Sequence, residues 1–287
     1  MWRVLCAALT GALLFYGSDA AAYCRTTTCD PSQTDCKQND QGCIRDGVPL
    51  RWRASPIPYR FSAVGSEKLN ATGARAAIRR GFDAWANVEC AKGRTSLRFK
   101  EESDVRGAVP SKTRDLTTFG IYYRDDVWPH DDAEESIALT TQTYGKTTGY
   151  IDSVVMEINT ANNAFALTDD EQGTDLQAVV THEVGHYIGL AHSPDADSIM
   201  VARYCQPDAT ETSSRCTGGS DRRRALADDD IRAVCAIYPP GGTSGATDDP
   251  AAASAGCSTT SSGPEEASVV TGAAFVVLAF VRRRRFV

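Results

Sequence analysis

Three of the four histidines in this chain fall within eleven residues, in the run His182-Glu183-Val184-Gly185-His186-Tyr187-Ile188-Gly189-Leu190-Ala191-His192. The pattern H-E-x-x-H-x-x-G-x-x-H narrows the possible folds more than any other feature, because it fixes a helix, its end and a bend in one stroke. A chance match at this composition is rarer than roughly one in 10⁵. The plain alternative is three histidines that cap a helix or fill a core, and the match leaves it little room.

The spacing has a mechanical reason. The preceding residues read as a helix over 175–190, with Thr174 and Gln177 as a T-x-x-Q capping box. Leu176, Val180, Val184 and Tyr187 or Ile188 form a core stripe. On such a helix His182 and His186 are one turn apart and share a face, so both imidazoles can reach one ion at about 2.0–2.1 Å. Gly189 suits a sharp reversal, since a residue without Cβ enters the left-handed region at little cost. The chain then returns His192 to the same ion. Three neutral nitrogens and a water make the open tetrahedral site expected of catalytic Zn2+. Glu183 is not a ligand in this reading. It stands beside the site, where a carboxylate can take a proton from an activated water.

The ends and the cysteines point to an oxidising compartment. Residues 1–22 pair Arg3 with an apolar run from Val4 to Tyr16 and the small residues Ala20-Ala21-Ala22, the pattern of a signal peptide cut near Tyr23. Of ten cysteines, Cys6 lies in that leader and Cys257 stands alone near the C-terminus. The remaining eight, Cys24, Cys29, Cys36, Cys43, Cys90, Cys205, Cys216 and Cys235, read as four disulfides. They allow 105 pairings. Local pairing within 24–43 and of Cys205 with Cys216 is preferred, which leaves Cys90 for Cys235. A cysteine zinc site competes poorly, since no tight CxxC pair is present.

Residues 241–266 are rich in Gly, Ser, Thr, Ala and Asp, the composition of a flexible linker. Within 267–287, the uncharged stretch Ala267 to Val281 precedes Arg282 to Arg285. As a short apolar helix it would span roughly 22 Å, less than the ~30 Å hydrocarbon core, so a sorting or anchoring role at a membrane suits it better than a permanent span. The lone cysteine, apolar stretch and terminal arginines resemble the surface-sorting tails of myxobacterial exported proteins.

Net charge is −7 for the whole chain. Residues 23–266 carry 25 Lys+Arg against 36 Asp+Glu, so nucleic acid is excluded as a partner for the body. That body reads as runs of strands and helices. Strands are expected at Ile57–Ser62, Thr95–Lys100, Thr117–Tyr123, Ser136–Thr143 and Tyr150–Asn159, with a turn over Tyr144–Gly149. Helices are expected at Ser66–Val88, 175–190 and 227–237. The order gives an α+β architecture.

At this point the chain resembles the metzincin zinc metalloproteases, and their matrixin branch in bacterial form. The resemblance rests on His182 to His192, on Ser193 directly after the third histidine, and on Ser198-Ile199-Met200. It extends to Ala138–Asn159 and to Leu226–Pro239 with Asp229-Asp230-Ile231, and covers residues 51–240. It implies a zincin-like α+β fold: a twisted, mostly parallel sheet, an active-site helix, and a small lower subdomain after Gly189. Met200 would form the methionine turn beneath the ligands. Ser136–Thr143 would include the sheet edge beside the cleft, where an extended peptide pairs. The activity implied is that of a secreted or surface-attached, monomeric zinc endopeptidase acting on proteins or peptides, with Glu183 as general base. The rivals are a catalytically weak, zinc-containing surface binding protein and a metal hydrolase of another class.

The departures from the family are specific. Only His130 is available where the vertebrate members hold a second zinc, so one catalytic ion is expected and His130 reads as a solvated loop residue. No P-R-C-G-x-P-D latency switch precedes the domain. Residues 23–50 hold four cysteines instead. The pairs Asp125-Asp126, Asp131-Asp132 and Asp169-Asp170 are candidates for Ca2+, but none fits an EF-hand loop and each reads as a solvated turn.

Overall fold

The computed structural model describes residues 23–130, 136–202 and 224–242, and the backbone alone of 272–277. The expected leader at 1–22, Asp131 and Asp132, the Cys205/Cys216 loop and most of the linker and tail lie outside the described residues. In chain order the elements are β1 (Ile57–Phe61), α1 (Ala71–Ala86), β2 (Glu89–Cys90), β3 (Gly93–Arg94), β4 (Phe99–Glu101), β5 (Gly120–Tyr123), β6 (Ala138–Tyr144), β7 (Ile151–Ile158), β8 (Phe165–Ala166), β9 (Thr174–Asp175), α2 (Leu176–Tyr187), α3 (Asp228–Ile237) and β10 (Gly272–Val277). The main sheet runs β10-β6-β7-β5-β1-β4. Pairs β1/β4, β1/β5 and β5/β7 are parallel, while β6 is antiparallel to β7. This is the mixed, mostly parallel sheet of an α+β fold.

Helix α1 starts later than its apolar pattern indicates. Asn70 caps it, its side chain accepting from Gly73 N at 2.9 Å. Ser66, upstream, donates instead to Asp125 at 2.7 Å. The buried stripe of α1 is Ala74, Ala77, Ile78, Gly81, Phe82 and Trp85. Gly81 lies where α1 crosses α2, and a Cβ there would stand 2.8 Å from Val180 Cγ1. The glycine that weakens the helix on propensity is therefore what lets the two helices close. Trp85 Nε1 donates to Thr181 O at 2.7 Å across the same contact.

Two strands are shorter than expected. Thr95 and Ser96 bond Tyr238 O, at the end of α3, from the hydroxyl (2.7 Å) and the amide (3.0 Å), so pairing with β1 begins only near Phe99. Before β5 the chain folds around the Tyr122 ring. Phe119 has φ 64°, and the Tyr122 hydroxyl accepts from Thr117 N at 3.0 Å.

Two further expectations are corrected. The apolar segment read as a helix over 267–281 has Gly272–Val277 in strand form, antiparallel on β6, with Gly272 opposite Tyr144 and Val277 opposite Leu139. A lone apolar helix has no face to pack on, whereas β-branched and aromatic residues suit a strand, and β6 offers a row of backbone donors and acceptors. Strand β6 is accordingly flanked on both sides. His130 is not solvated either. Its side chain is 12% exposed and its Nε2 lies 3.3 Å from the fully buried Glu157. Arg124 Nε and Thr113 Oγ1 donate to the same carboxylate at 2.7 and 2.8 Å. Burial alone would raise the Glu157 pKa, but the His130, Arg124 and Thr113 contacts outweigh it and hold it below the ordinary range. A carboxylate inside a sheet demands such partners, and that demand draws His130 inward.

Disulfides join Cys24–Cys43, Cys29–Cys36 and Cys90–Cys235. Among the described residues no helix is long and apolar enough to cross a membrane.

Candidate metal centre and active site

Helix α2 is capped by Asp175, whose side chain accepts from Ala178 N at 2.8 Å. The expected Thr174/Gln177 box is not formed: Thr174 pairs with Phe165 in β9, and Gln177 Oε1 accepts from Arg80 Nε at 2.6 Å. The Thr174 amide, which a box would pair with Gln177, donates instead to Ala164 O at 2.9 Å. From Leu176 to Tyr187 nearly every residue of α2 is buried, so the helix that carries the site is itself core.

His182 and His186 stand one turn apart with their Nε2 atoms 3.1 Å from each other. Two nitrogens at 2.0–2.1 Å from one tetrahedral ion lie about 3.3–3.4 Å apart, so the pair is nearly at ligand spacing. Each ring is oriented through its other nitrogen. His182 Nδ1 bonds Ile199 O at 2.6 Å, and His186 Nδ1 bonds Leu190 O at 2.9 Å. A backbone carbonyl accepts from Nδ1–H and leaves the Nε2 lone pair facing inward. After Tyr187 the chain turns at Gly189, φ 99°, and a Cβ there would overlap Leu50 O. Beyond the turn His192 returns, and the ligand atoms of the three histidines all lie within 4.8 Å of one another. The His192 Nε2 is buried and makes no hydrogen bond in the protein. An orphaned buried lone pair beside two inward-facing nitrogens is the donor set of a divalent metal such as zinc, and the three side chains fit one.

Electrostatics agree with that fit. Burial pushes His182 down to about 3 and His192 down to about 4, and lowers His186 as well. The neighbouring imidazoles add to the fall at His182 and His186. All three are therefore neutral, lone-pair-bearing rings at ordinary pH.

Glu183, next to His182 on the helix, reaches towards β6. It is fully buried. Its Oε2 accepts from Thr140 Oγ1 at 2.6 Å, and its Oε1 has no partner. Burial pushes its pKa up to about 8, against the opposing Thr140 bond. A divalent cation beside it acts in the opposite sense and favours the carboxylate.

Met200 lies under the helix, 2% exposed. A Cβ at Gly185 would overlap its Sδ, so the second residue of the H-E-x-x-H gap must be small. The turn is held from α3. Asp230 accepts from Ser198 Oγ at 2.5 Å, Ile199 N at 2.9 Å and Ala227 N at 2.8 Å. Asp229 accepts from Ser193 Oγ at 2.7 Å. Burial pushes Asp230 up to about 6 despite those bonds.

The structure thus brings together His182, Glu183, His186, His192 and Met200. Three contributors were not singled out from the sequence: Thr140, Gln142, whose Nε2 donates to His186 O, and the Ile199 carbonyl. The signal for the first two was present. Ala138, Thr140, Gln142 and Tyr144 alternate on the fully buried face of β6, and polar residues on a core face require partners.

The family model described as Matrixin matches residues 51–239. Matrix metalloproteinase-C of Caenorhabditis elegans is 31% identical over 190 residues, covering 66% of this chain and 28% of that protein. Human matrix metalloproteinase-16 is 28% identical over 158 residues, covering 54% and 24%. Rat stromelysin-2 is 26% identical over 160 residues, covering 54% and 28%. The chain spans about a quarter of the length of these curated relatives. With the family model covering about two thirds of the sequence over the region that builds the histidine cluster, the chain belongs to the matrixin family.

Proposed function

We propose that this chain is a zinc-dependent endopeptidase, secreted or held at the cell surface, that hydrolyses peptide bonds with Glu183 as general base. His182, His186 and His192 are its metal ligands and Met200 forms the turn beneath them. The observation that carries the reading is the convergence of three neutral imidazoles beside a buried carboxylate with one oxygen left unpartnered.

Zinc bound there supplies a Lewis acid for the scissile carbonyl and brings the pKa of a water near 7. Glu183 Oε1 takes the proton of the attacking water and returns it to the leaving amine, with Oε2 held by Thr140 throughout. The carbonyls of Ile199 and Leu190 keep the two helix imidazoles in one tautomer. No Ser or Cys nucleophile is needed.

In this reading residues 1–22 are a leader, 23–50 a disulfide-tied lead, 51–240 the catalytic domain, 241–266 a linker and 267–287 a sorting tail. Three disulfides support an oxidising compartment. An unpartnered buried carboxylate oxygen disfavours a pure zinc-containing binder, which has no use for it and would bear its desolvation cost.

The test is proteolysis of casein, gelatin and a peptide library, with and without a zinc chelator and with Glu183→Ala. Cleavage that stops with chelator, and a Glu183→Ala protein that keeps stoichiometric zinc but does not turn over, support the reading. Undiminished cleavage by Glu183→Ala overturns it, and zinc binding without any cleavage favours the binder.

A further inference from the structure

We infer that the disulfide-tied lead, residues 24–50, is a positioning element of the metal centre, acting through Thr26 and Cys24 on the turn that carries His192 and on the carbonyl that orients His186. The inference rests on the proposed metal-binding role of the three histidines, and it concerns a segment that lies ahead of the family match at 51–239.

The turn between the second and third histidines is short and has few bonds of its own. Gly189 N reaches His186 O and Leu190 N reaches Gly185 O, both closing the end of α2. Among the described residues, every backbone bond that 189–191 make beyond α2 goes to the lead. Thr26 N donates to Gly189 O and Ala191 N donates to Cys24 O, each at 3.0 Å, around an antiparallel bridge of Arg25 with Leu190. Thr26 Oγ1 donates to Leu190 O at 2.9 Å. That carbonyl also accepts from His186 Nδ1. One oxygen therefore links the lead to the ring orientation of a ligand, and one amide links it to the residue before His192.

The lead is itself anchored on both sides. Its returning arm gives Leu50 N to Thr26 O at 2.8 Å and Val48 O to Thr28 N at 3.0 Å. Arg51 then joins the start of β7, donating from N to Gly149 O and accepting at O from Ile151 N, each at 2.9 Å. Cys24, whose carbonyl holds Ala191, is bridged to Cys43 and buried. The sequence of contacts runs from sheet to lead to turn to ligand, and the disulfide closes the lead into a rigid strap. Groups that orient metal ligands commonly change metal affinity 10- to 100-fold when removed.

The experiment measures zinc affinity of the purified chain by chelator competition, and the absorption spectrum of the cobalt-substituted protein. Thr26→Val keeps shape and amide but loses the hydroxyl, Thr26→Ser keeps the hydroxyl, and a Cys24→Ala/Cys43→Ala pair opens the strap. Expected results are zinc binding weakened at least about tenfold by Thr26→Val and more by the cysteine pair, an altered cobalt spectrum, and wild-type values for Thr26→Ser. The melting temperature of metal-free Thr26→Val should stay close to wild type, which separates positioning from folding. Should the cysteine pair fail to fold, the two Thr26 variants decide. Wild-type affinity and spectrum in Thr26→Val overturn the inference alone. A wild-type chain that binds no zinc overturns the metal-centre reading and this inference together.

Discussion

Thr140 Oγ1 sits 2.6 Å from Glu183 Oε2 and donates to it, joining the middle of β6 to the helix that carries the histidines. Of the two carboxylate oxygens only Oε1 is left for an incoming proton. The hydroxyl fixes which oxygen is bonded, and the strand fixes where the carboxylate stands.

Replacing Thr140 with Val keeps the volume and removes the donor. Turnover on a peptide substrate is expected to fall about tenfold or more, a fraction of the 10²–10⁴ that a positioned general base supplies. Zinc content should be unchanged and Thr140→Ser should recover most of the rate. Steady-state kinetics beside metal analysis give the answer, and an unimpaired Thr140→Val would show that the bond is incidental.

Gly185 is expected to tolerate no side chain. A methyl group would overlap Met200 Sδ and approach Trp85 Cζ2 to 3.0 Å. Both neighbours are buried core. Gly185→Ala should cost about 1–3 kcal/mol despite alanine's better helix propensity. Urea unfolding of the metal-free protein measures it, and a gain in stability would mean that Met200 moves aside freely.

Asp230 gives a pH dependence with a definite sign. Burial raises its pKa to about 6 in the folded chain, from an ordinary 3.8. The folded state binds the proton more readily, so the stabilisation from this group is present below about pH 4 and is lost as pH rises through about 6. The full swing is at most about 3 kcal/mol. Asp230→Asn, which does not titrate, should therefore compare least well with wild type near pH 4.5 and best near pH 7.5. Paired denaturation curves of the metal-free proteins at those two pH values test this, and a difference independent of pH would refute it.

Gly272–Val277 occupies the backbone groups of Leu139–Tyr144 that an extended peptide would need for pairing on the same edge. A chain ended after residue 266 should show a KM for long peptides lower by about threefold or more, with kcat little changed, since the binding-competent fraction rises. Equal KM values in the two chains would mean that peptides do not use this edge.

What could be read in advance followed from the reach of each rule. His182, His186 and Gly189 obey spacing set by a single helix and its end, so local periodicity was enough. The Cys90–Cys235 pair followed once the other cysteines were matched locally. The cap of α2 was misplaced by one residue because Thr174 and Gln177 had other partners, in β8 and α1, that no local pattern reveals. His130 was misjudged for the same reason, since its partner Glu157 lies 27 positions away on a neighbouring strand. The apolar tail was read by length and charge, and neither announces a free sheet edge. Thr140 and Gln142 were legible in principle, as polar residues alternating on a face that had to be buried.

The Cys90–Cys235 bridge spans 145 positions and encloses the H-E-x-x-H helix and the third histidine within one covalent loop. A single cut anywhere in that loop leaves both pieces tethered. Damage of that kind would be invisible on a non-reducing gel and would separate into fragments only after a thiol is added.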